Sequence, residues 1–172
     1  MIDTEKLIQH TFIKLLKKRN VEEIDVNMIC KEINIKRQTF YYHFQNIYDV
    51  IFSIYCYKSI PYIANSTLDV SIYNMLNFLY NDNEYNIKIA KSNARDVLED
   101  FLYSYIHNCI NKYLNKYVIN EDKKVVLLKF FSKGIVEVTI SNFIEKKSLE
   151  VNKNEINKLC SENLINLIIS KF

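Results

Sequence analysis

Apolar residues recur every three or four positions along most of the chain, the spacing that places side chains on one face of an α-helix. The first such stripe contains Leu7, Ile8 and Phe12, and Asp3 stands where its carboxylate can cap the helix. Further stripes predict a helix from about residue 47, and others over about 70–80, 85–91, 95–117, 121–146 and 152–169. Asn120 and Asn152 are the predicted caps of the last two, with Glu155 completing a capping box for Asn152.

Residues 25–44 show a denser pattern, two short helices joined by a tight turn. Asp25 can cap the first helix, and Asn34 stands at the turn, where a left-handed backbone is needed and Asn tolerates it. Phe40 and Phe44, four residues apart, would anchor the second helix to a core. Its other positions are polar, cationic or aromatic: Lys36, Arg37, Gln38, Thr39, Tyr41, Tyr42 and His43. A helix in a DNA major groove needs so many donors, and a core helix does not.

Composition supports an all-α fold. The 172 residues include one Gly and one Pro, whereas β-rich folds and phosphate-binding loops need several turn glycines. The hydrophobic content of 49% is sufficient for a substantial core. A net charge of +3 is weak evidence for any partner, so DNA binding would depend on the local placement of Lys31, Lys36 and Arg37.

Other classes of function lack a matching pattern. Cys30, Cys56, Cys109 and Cys160 are scattered without a CxxC pair, which indicates buried thiols in a reducing cytoplasm rather than a metal site, with a redox sensor as the alternative. The sequence contains no paired nucleophile and base and no phosphate loop, so we expect no enzyme activity and no cofactor. It also shows no apolar run of membrane-spanning length and no secretory leader, and we expect a cytoplasmic protein.

The segment Thr39-Phe40-Tyr41-Tyr42-His43-Phe44, preceded by Asn34-Ile35 at the turn, resembles the DNA-binding domain of the TetR family of transcriptional regulators. The resemblance covers about residues 4–57. It implies an N-terminal three-helix helix-turn-helix domain, residues 1–50, followed by a helical-bundle effector-binding and dimerisation domain, residues 51–172.

The resemblance also implies roles for individual residues. Lys36, Arg37 and Gln38 would reach base edges, Arg37 suiting guanine and Gln38 suiting adenine. Tyr42 would contact a thymine methyl or a phosphate. Backbone phosphates would be met by Thr39, Tyr41, His43 and, from the preceding helix, Asn27. The alternative for the whole set is a solvated helix face with aromatic packing.

Two positions depart from the family pattern. The Lys that usually follows the final Phe by three residues, and binds phosphate, is Ile47 here, which predicts weaker DNA binding with a smaller salt dependence. The Ser that usually caps the recognition helix is Lys36, which cannot accept the capping hydrogen bonds.

Residues 130–150 resemble the C-terminal domain of a TetR subgroup related to activators of dihydroxyacetone-kinase operons. The resemblance lies in the pair Phe130-Phe131 and the step Gly134-Ile135; the Trp of that pattern is absent, Asn142 or Phe143 standing in its place. A mid-helix Gly is explained by a close helix–helix approach, either in a dimer interface or within one chain.

The sequence therefore predicts a transcriptional regulator, a repressor before an activator, that binds a near-palindromic double-stranded DNA operator. It would bind as a homodimer through the helices 121–146 and 152–169. A small-molecule effector would bind among aromatic and histidine side chains of the C-terminal domain: Tyr73, Phe101, Tyr105, His107 and Phe131. The alternatives for these side chains are ordinary core packing, and for the domain a protein coactivator without a small-molecule pocket.

Overall fold

A computed structural model describes residues 3–58, 60 and 67–159. This part of the chain forms α-helices and one short 3-10 turn, Val21–Glu23, and contains no strand. The helices are α1 Thr4–Leu16, α2 Val26–Glu32, α3 Arg37–His43, α4 Ile47–Lys58, α5 Leu68–Asn81, α6 Asn83–Ala90, α7 Arg95–Leu114, α8 Glu121–Ile144 and α9 Leu149–Leu159. The predicted all-α class is confirmed. Cys160 and the predicted continuation of the last helix to residue 169 lie outside the described residues.

Side-chain caps begin several helices where the sequence predicts them. Asp3 Oδ1 accepts a hydrogen bond from Lys6 N at 3.4 Å, and Asp25 Oδ1 accepts one from Met28 N at 2.8 Å. At the start of α8, Asn120 Oδ1 accepts from Asp122 N at 2.9 Å. Each bond satisfies a backbone N–H that the first helical turn leaves without a partner.

The predicted cap at Asn152 is wrong. Helix α9 begins three residues earlier, and Ser148 Oγ accepts a hydrogen bond from Val151 N at 3.3 Å in the capping position. Asn152 is fully buried inside the helix, where its Nδ2 donates to Thr139 O at 3.0 Å and to Tyr80 Oη at 3.2 Å. The side chain therefore joins α9 to α5 and α8 instead of capping its own helix.

The chain divides into two compact units, Met1–Ser59 with Asp82–Phe101, and Ile60–Asn81 with Leu102–Phe172. Helix α6 and the first residues of α7 therefore pack with the N-terminal helices. The functional boundary at residue 50 remains a prediction, because a division by packing does not show which residues serve DNA and which serve an effector.

The first unit is built around apolar side chains of α1 to α4. Ile8, Phe12, Ile29, Phe40 and Ile51 are all fully buried. Lys88 of α6 holds this helix to the end of α1. Its Nζ donates to the backbone carbonyl oxygens of Leu16, Lys17 and Arg19, with N···O distances of 2.5, 3.3 and 3.4 Å.

The second unit has a core shared by α5, α7, α8 and α9. Fully buried side chains from these helices include Ile72, Leu76, Ile106, Ile140 and Ile156. Gly134 in α8 does not belong to this core. A Cβ built on Gly134 meets no atom of the described residues within 4 Å, so the hypothesis of a close helix crossing within the chain is wrong for the part that is described. None of the described helices is both long and apolar enough to span a lipid bilayer.

Candidate nucleic-acid interface

The turn between α2 and α3 has the geometry that the sequence predicts. Asn34 adopts a left-handed backbone with φ 54°, and Ile35 N donates to Cys30 O at 3.0 Å across the turn. Lys36 is extended, with φ −75° and ψ 150°, and α3 begins at Arg37. A single left-handed Asn thus reverses the chain between two seven-residue helices.

One side of α3 is anchored in the core of the first unit. Phe40 is fully buried, and its ring centroid lies 5.9 Å from that of Phe44, which is also buried. Burying two aromatic rings on one face orients a helix of only two turns, and the remaining side chains must then lie at or near the surface.

The opposite side of α3 is exposed and carries the predicted DNA-contact residues. Tyr42 is 85% exposed and Tyr41 48% exposed. Lys36, Arg37, Gln38 and, on α2, Asn27 are exposed as well, while Thr39 and His43 are half-buried. All eight predicted residues are therefore accessible to solvent, six of them exposed and two half-buried.

Arg37 and Tyr41 contact each other along this surface. Arg37 Nη2 donates to Tyr41 Oη at 3.2 Å, and the Arg37 Cζ lies 5.8 Å from the centroid of the Tyr41 ring. The hydrogen bond to Tyr41 raises the pKa of Arg37 above its ordinary value, so the cation is retained at any physiological pH. The i, i+4 spacing of the two residues permits this pairing without requiring it, so the sequence alone does not predict it.

Both departures from the family pattern have structural consequences. No side-chain hydrogen bond from Lys36 caps α3; its backbone carbonyl accepts from Thr39 N at 2.9 Å. At the start of α4, Ile47 is half-buried and supplies no cation. Asn46 Oδ1 accepts from Asp49 N at 3.0 Å there, and Asp49 Oδ2 accepts from Gln45 N at 2.9 Å. The Asn-x-x-Asp spacing is a capping signal from which the start of α4 could have been predicted.

The predicted effector residues have different surroundings. Phe101 belongs to the first unit, where its ring stacks on Tyr55 with centroids 5.2 Å apart. The other four belong to the second unit. The exposed ring of Tyr73 lies under a lysine ammonium group. The His107 ring is tilted against Tyr103, and the buried ring of Phe131 is edge-on to Phe130.

Tyr105, the fourth of these, lies in a polar cluster. Burial raises its pKa to about 12, while its hydroxyl hydrogen bonds with the side chains of Ser71, Asn74 and Cys109. Each of the five predicted residues thus has at least one partner among the described residues, and their part in an effector site stays a prediction. In the part of the chain that the structure describes, no group of three or more His, Cys, Asp or Glu residues could hold a metal ion.

Comparison with known proteins identifies a similar fold. No protein-family model matches the chain, and no curated protein matches its sequence. Among solved structures, the chain is similar to the dihydroxyacetone kinase operon activator DhaS, with a TM-score of 0.66 and 23% sequence identity over 100% of this chain and 99% of that chain. At this identity the similarity establishes the fold, a helix-turn-helix bundle followed by further helices.

Proposed function

We propose that this chain is a TetR-like, DNA-binding transcriptional regulator. The observation that carries the proposal is the division of α3 into two faces. Phe40 holds the helix in the core, while Arg37, Gln38, Tyr41 and Tyr42 are exposed together on the other side. Hydrogen-bond donors on an exposed short helix after a tight turn match what a major groove presents.

The mechanism follows from two copies of this helix. In a two-fold dimer the recognition helices enter successive major grooves about 34 Å apart and read a near-palindromic double-stranded operator. Lys36, Arg37 and Gln38 would reach base edges, and Thr39, Tyr41, His43 and Asn27 would contact backbone phosphates. Binding of an effector to the second unit would change the relative populations of states that do and do not fit the operator.

Helix α8 supplies the surface that we propose for the homodimer. Its exposed side carries three large apolar residues, Val125, Val126 and Phe130, and then the open position at Gly134. Exposed apolar groups of this kind are stabilised by burial against a partner. A second copy crossing at Gly134 would explain a Gly that contacts nothing within the described chain.

The sign of regulation has two candidates. Repression is the first, because most members of the family that the recognition motif resembles are repressors. Activation through a protein coactivator is the second, and the similarity to DhaS favours it, since DhaS is an activator. Transcription in vitro from the bound promoter, with and without this chain, distinguishes the two by direction alone.

The proposed function is tested with purified full-length chain and DNA from upstream of its own gene, by fluorescence anisotropy across a salt series. We expect affinity to fall steeply as salt rises, because cationic side chains displace counterions from phosphates. Arg37→Ala should reduce the preference for this DNA over competitor DNA by about tenfold to a hundredfold, the usual value of one bidentate base contact.

Arg19→Ala is the matched control, because it removes an equal charge from an exposed position of the same unit outside α3. It should leave the preference unchanged. An equal loss of preference in the two variants would show that Arg37 contributes only its positive charge and makes no base contact. Binding that any competitor displaces from the wild-type chain would contradict a sequence-specific regulator.

A further inference from the structure

We propose that Tyr41 positions the Arg37 guanidinium for base recognition and thereby determines specificity at one base pair that Tyr41 itself does not touch. The inference rests on the proposed function and concerns the same surface. It assigns Tyr41 a role in sequence discrimination in addition to the phosphate contact that its place in the motif implies.

Tyr41 holds Arg37 by two different contacts. The 3.2 Å hydrogen bond from Nη2 to the phenol oxygen fixes one end of the guanidinium, and the ring lies 5.8 Å from Cζ. An unsupported arginine on a helix surface samples many rotamers, and ordering it on binding opposes affinity. A guanidinium already held along the helix loses less freedom when it meets a base.

Tyr41 is itself held by the core. Its ring lies edge-on to Phe40, with centroids 5.6 Å apart and an interplanar angle of 86°. Phe40 is fully buried. The buried ring therefore orients the tyrosine, and the tyrosine orients the arginine, so the direction of a surface cation is set by packing inside the unit.

The hydrogen-bonding capacity of the pair matches DNA at two points. The guanidinium has five N–H donors and uses one on Tyr41, which leaves enough for a bidentate contact with guanine O6 and N7. Tyr41 Oη accepts that bond and keeps its own hydrogen, for which the described residues show no acceptor. The hydroxyl can donate this hydrogen to a backbone phosphate, so one tyrosine would couple the phosphate contact to the direction of the base-reading arginine.

This arrangement predicts a different result from a phosphate contact alone. Loss of a tyrosine that only touches phosphate weakens binding to all sequences about equally, because phosphates carry no sequence information. Loss of a tyrosine that directs Arg37 weakens discrimination at the single base pair read by Arg37. The affected position is identified independently as the one whose preference disappears in Arg37→Ala.

The experiment selects sequences from a randomised double-stranded DNA library with the full-length chain. The variants are Tyr41→Phe, Arg37→Ala and their combination. For each protein we measure the affinity for the selected sequence and for the same sequence with the base pair read by Arg37 replaced. We expect Tyr41→Phe, which keeps the ring, to reduce the preference at that position about threefold to tenfold. In the Arg37→Ala background it should reduce the preference no further.

Tyr57→Phe is the matched control, since this phenol is also exposed on the first unit but lies on α4, outside the proposed DNA-contact residues. It should leave the preference at the Arg37 position intact. Uniform weakening by Tyr41→Phe at all positions overturns the inference while leaving the proposed function standing, as does an undiminished effect in the Arg37→Ala background. Selection of no sequence by the wild-type chain overturns both. Thermal unfolding of each variant establishes that the compared proteins are folded.

Discussion

At the first turn of α3, Lys36 occupies the position where most helices have a side chain that accepts hydrogen bonds. Its backbone is already extended, as a capping residue requires, but no side-chain bond is made. Lys36→Ser should therefore increase the free energy of unfolding by about 0.5–1 kcal/mol, because serine can accept from a backbone N–H of the first turn. Urea denaturation of the two proteins, compared at equal m-value, measures the change.

Lys36→Ala is the control for this prediction, since alanine removes the charge without adding an acceptor. A gain in stability with alanine equal to that with serine would show that relief of charge repulsion, and not capping, is responsible. Under the proposed function both variants should also bind DNA more weakly than wild type. The position would then be one at which DNA binding and fold stability favour different residues.

Single residues differ in how much of their role can be predicted from sequence. The left-handed backbone at Asn34 could be predicted, because the preference is intrinsic to the asparagine side chain. The contact between Arg37 and Tyr41 could not, because i, i+4 spacing allows the pair to meet without requiring it. Whether they meet depends on the packing of the Tyr41 ring against Phe40, which is a property of the folded unit.

The corner between α8 and α9 shows the same difference for helix boundaries. Ser148 and Asn152 are both good capping types, four residues apart, and the sequence alone does not decide between them. Burial of Asn152 beside Tyr80 excludes it from capping, and that contact spans 72 residues of chain. The end of α8 is also inconspicuous in sequence, because Lys146, with φ 61°, takes the left-handed position that usually belongs to glycine.

A hydrogen-bonded network stabilises this corner. Asn142 Nδ2 donates to Glu155 Oε2 at 2.7 Å and to Asn152 Oδ1 at 3.3 Å. Lys147 Nζ donates to Asn142 Oδ1 at 2.7 Å and lies 3.3 Å from Glu155 Oε2. The carboxylate of Glu155 therefore accepts bonds from an amide and an ammonium group, and both hold α9 against the end of α8.

The network predicts an acid-sensitive contribution to stability. The hydrogen bond from Asn142, followed by that from Lys147, lowers the pKa of Glu155 below its ordinary value of 4.5. A carboxyl group with a lowered folded-state pKa stabilises the fold above its unfolded-state pKa, and the contribution is lost as the pH falls through the folded-state pKa. We expect Glu155→Gln to have a lower Tm than wild type at pH 7 and the difference to shrink towards pH 3.

Differential scanning calorimetry at several pH values between about 7 and 3 measures this convergence, since the stabilisation depends on ionised Glu155. Glutamine keeps the size of the side chain and an acceptor oxygen but cannot titrate. Parallel Tm curves for the two proteins would show that the charge of Glu155 contributes nothing to the corner.

At the scale of the whole molecule, the division into packing units could not be predicted from local pattern. The stripes of apolar residues predict the helices but do not assign α6 to the N-terminal unit. That assignment depends on contacts about 70 residues apart in sequence, such as Lys88 with the Leu16 carbonyl and Asn93 N with Glu22 Oε1. Tyr55 makes a shorter link, over 31 residues, by donating to Asn86 Oδ1 at 3.2 Å.

Gly134 connects the structure of one chain to the proposed homodimer. Glycine inside a helix is less stable than alanine by about 1 kcal/mol, so a buried crossing would normally account for it. The described chain offers no such crossing, and the position follows the exposed ring of Phe130 by one turn. If a second copy crosses there, a large side chain at residue 134 must disturb the dimer without disturbing the single chain.

Gly134→Leu should accordingly weaken dimerisation by about 1–3 kcal/mol, the usual effect of overpacking a close contact. Sedimentation of a dilution series measures the dimer dissociation constant. Asn108→Leu places the same side chain at an exposed position of α7, outside the proposed dimer surface, and should leave that constant unchanged. The fold should tolerate leucine at 134, because the space around that position is open in the described chain and leucine favours helix. A Gly134→Leu protein that dimerises as tightly as wild type would contradict a close helix crossing at residue 134 and leave the glycine unexplained.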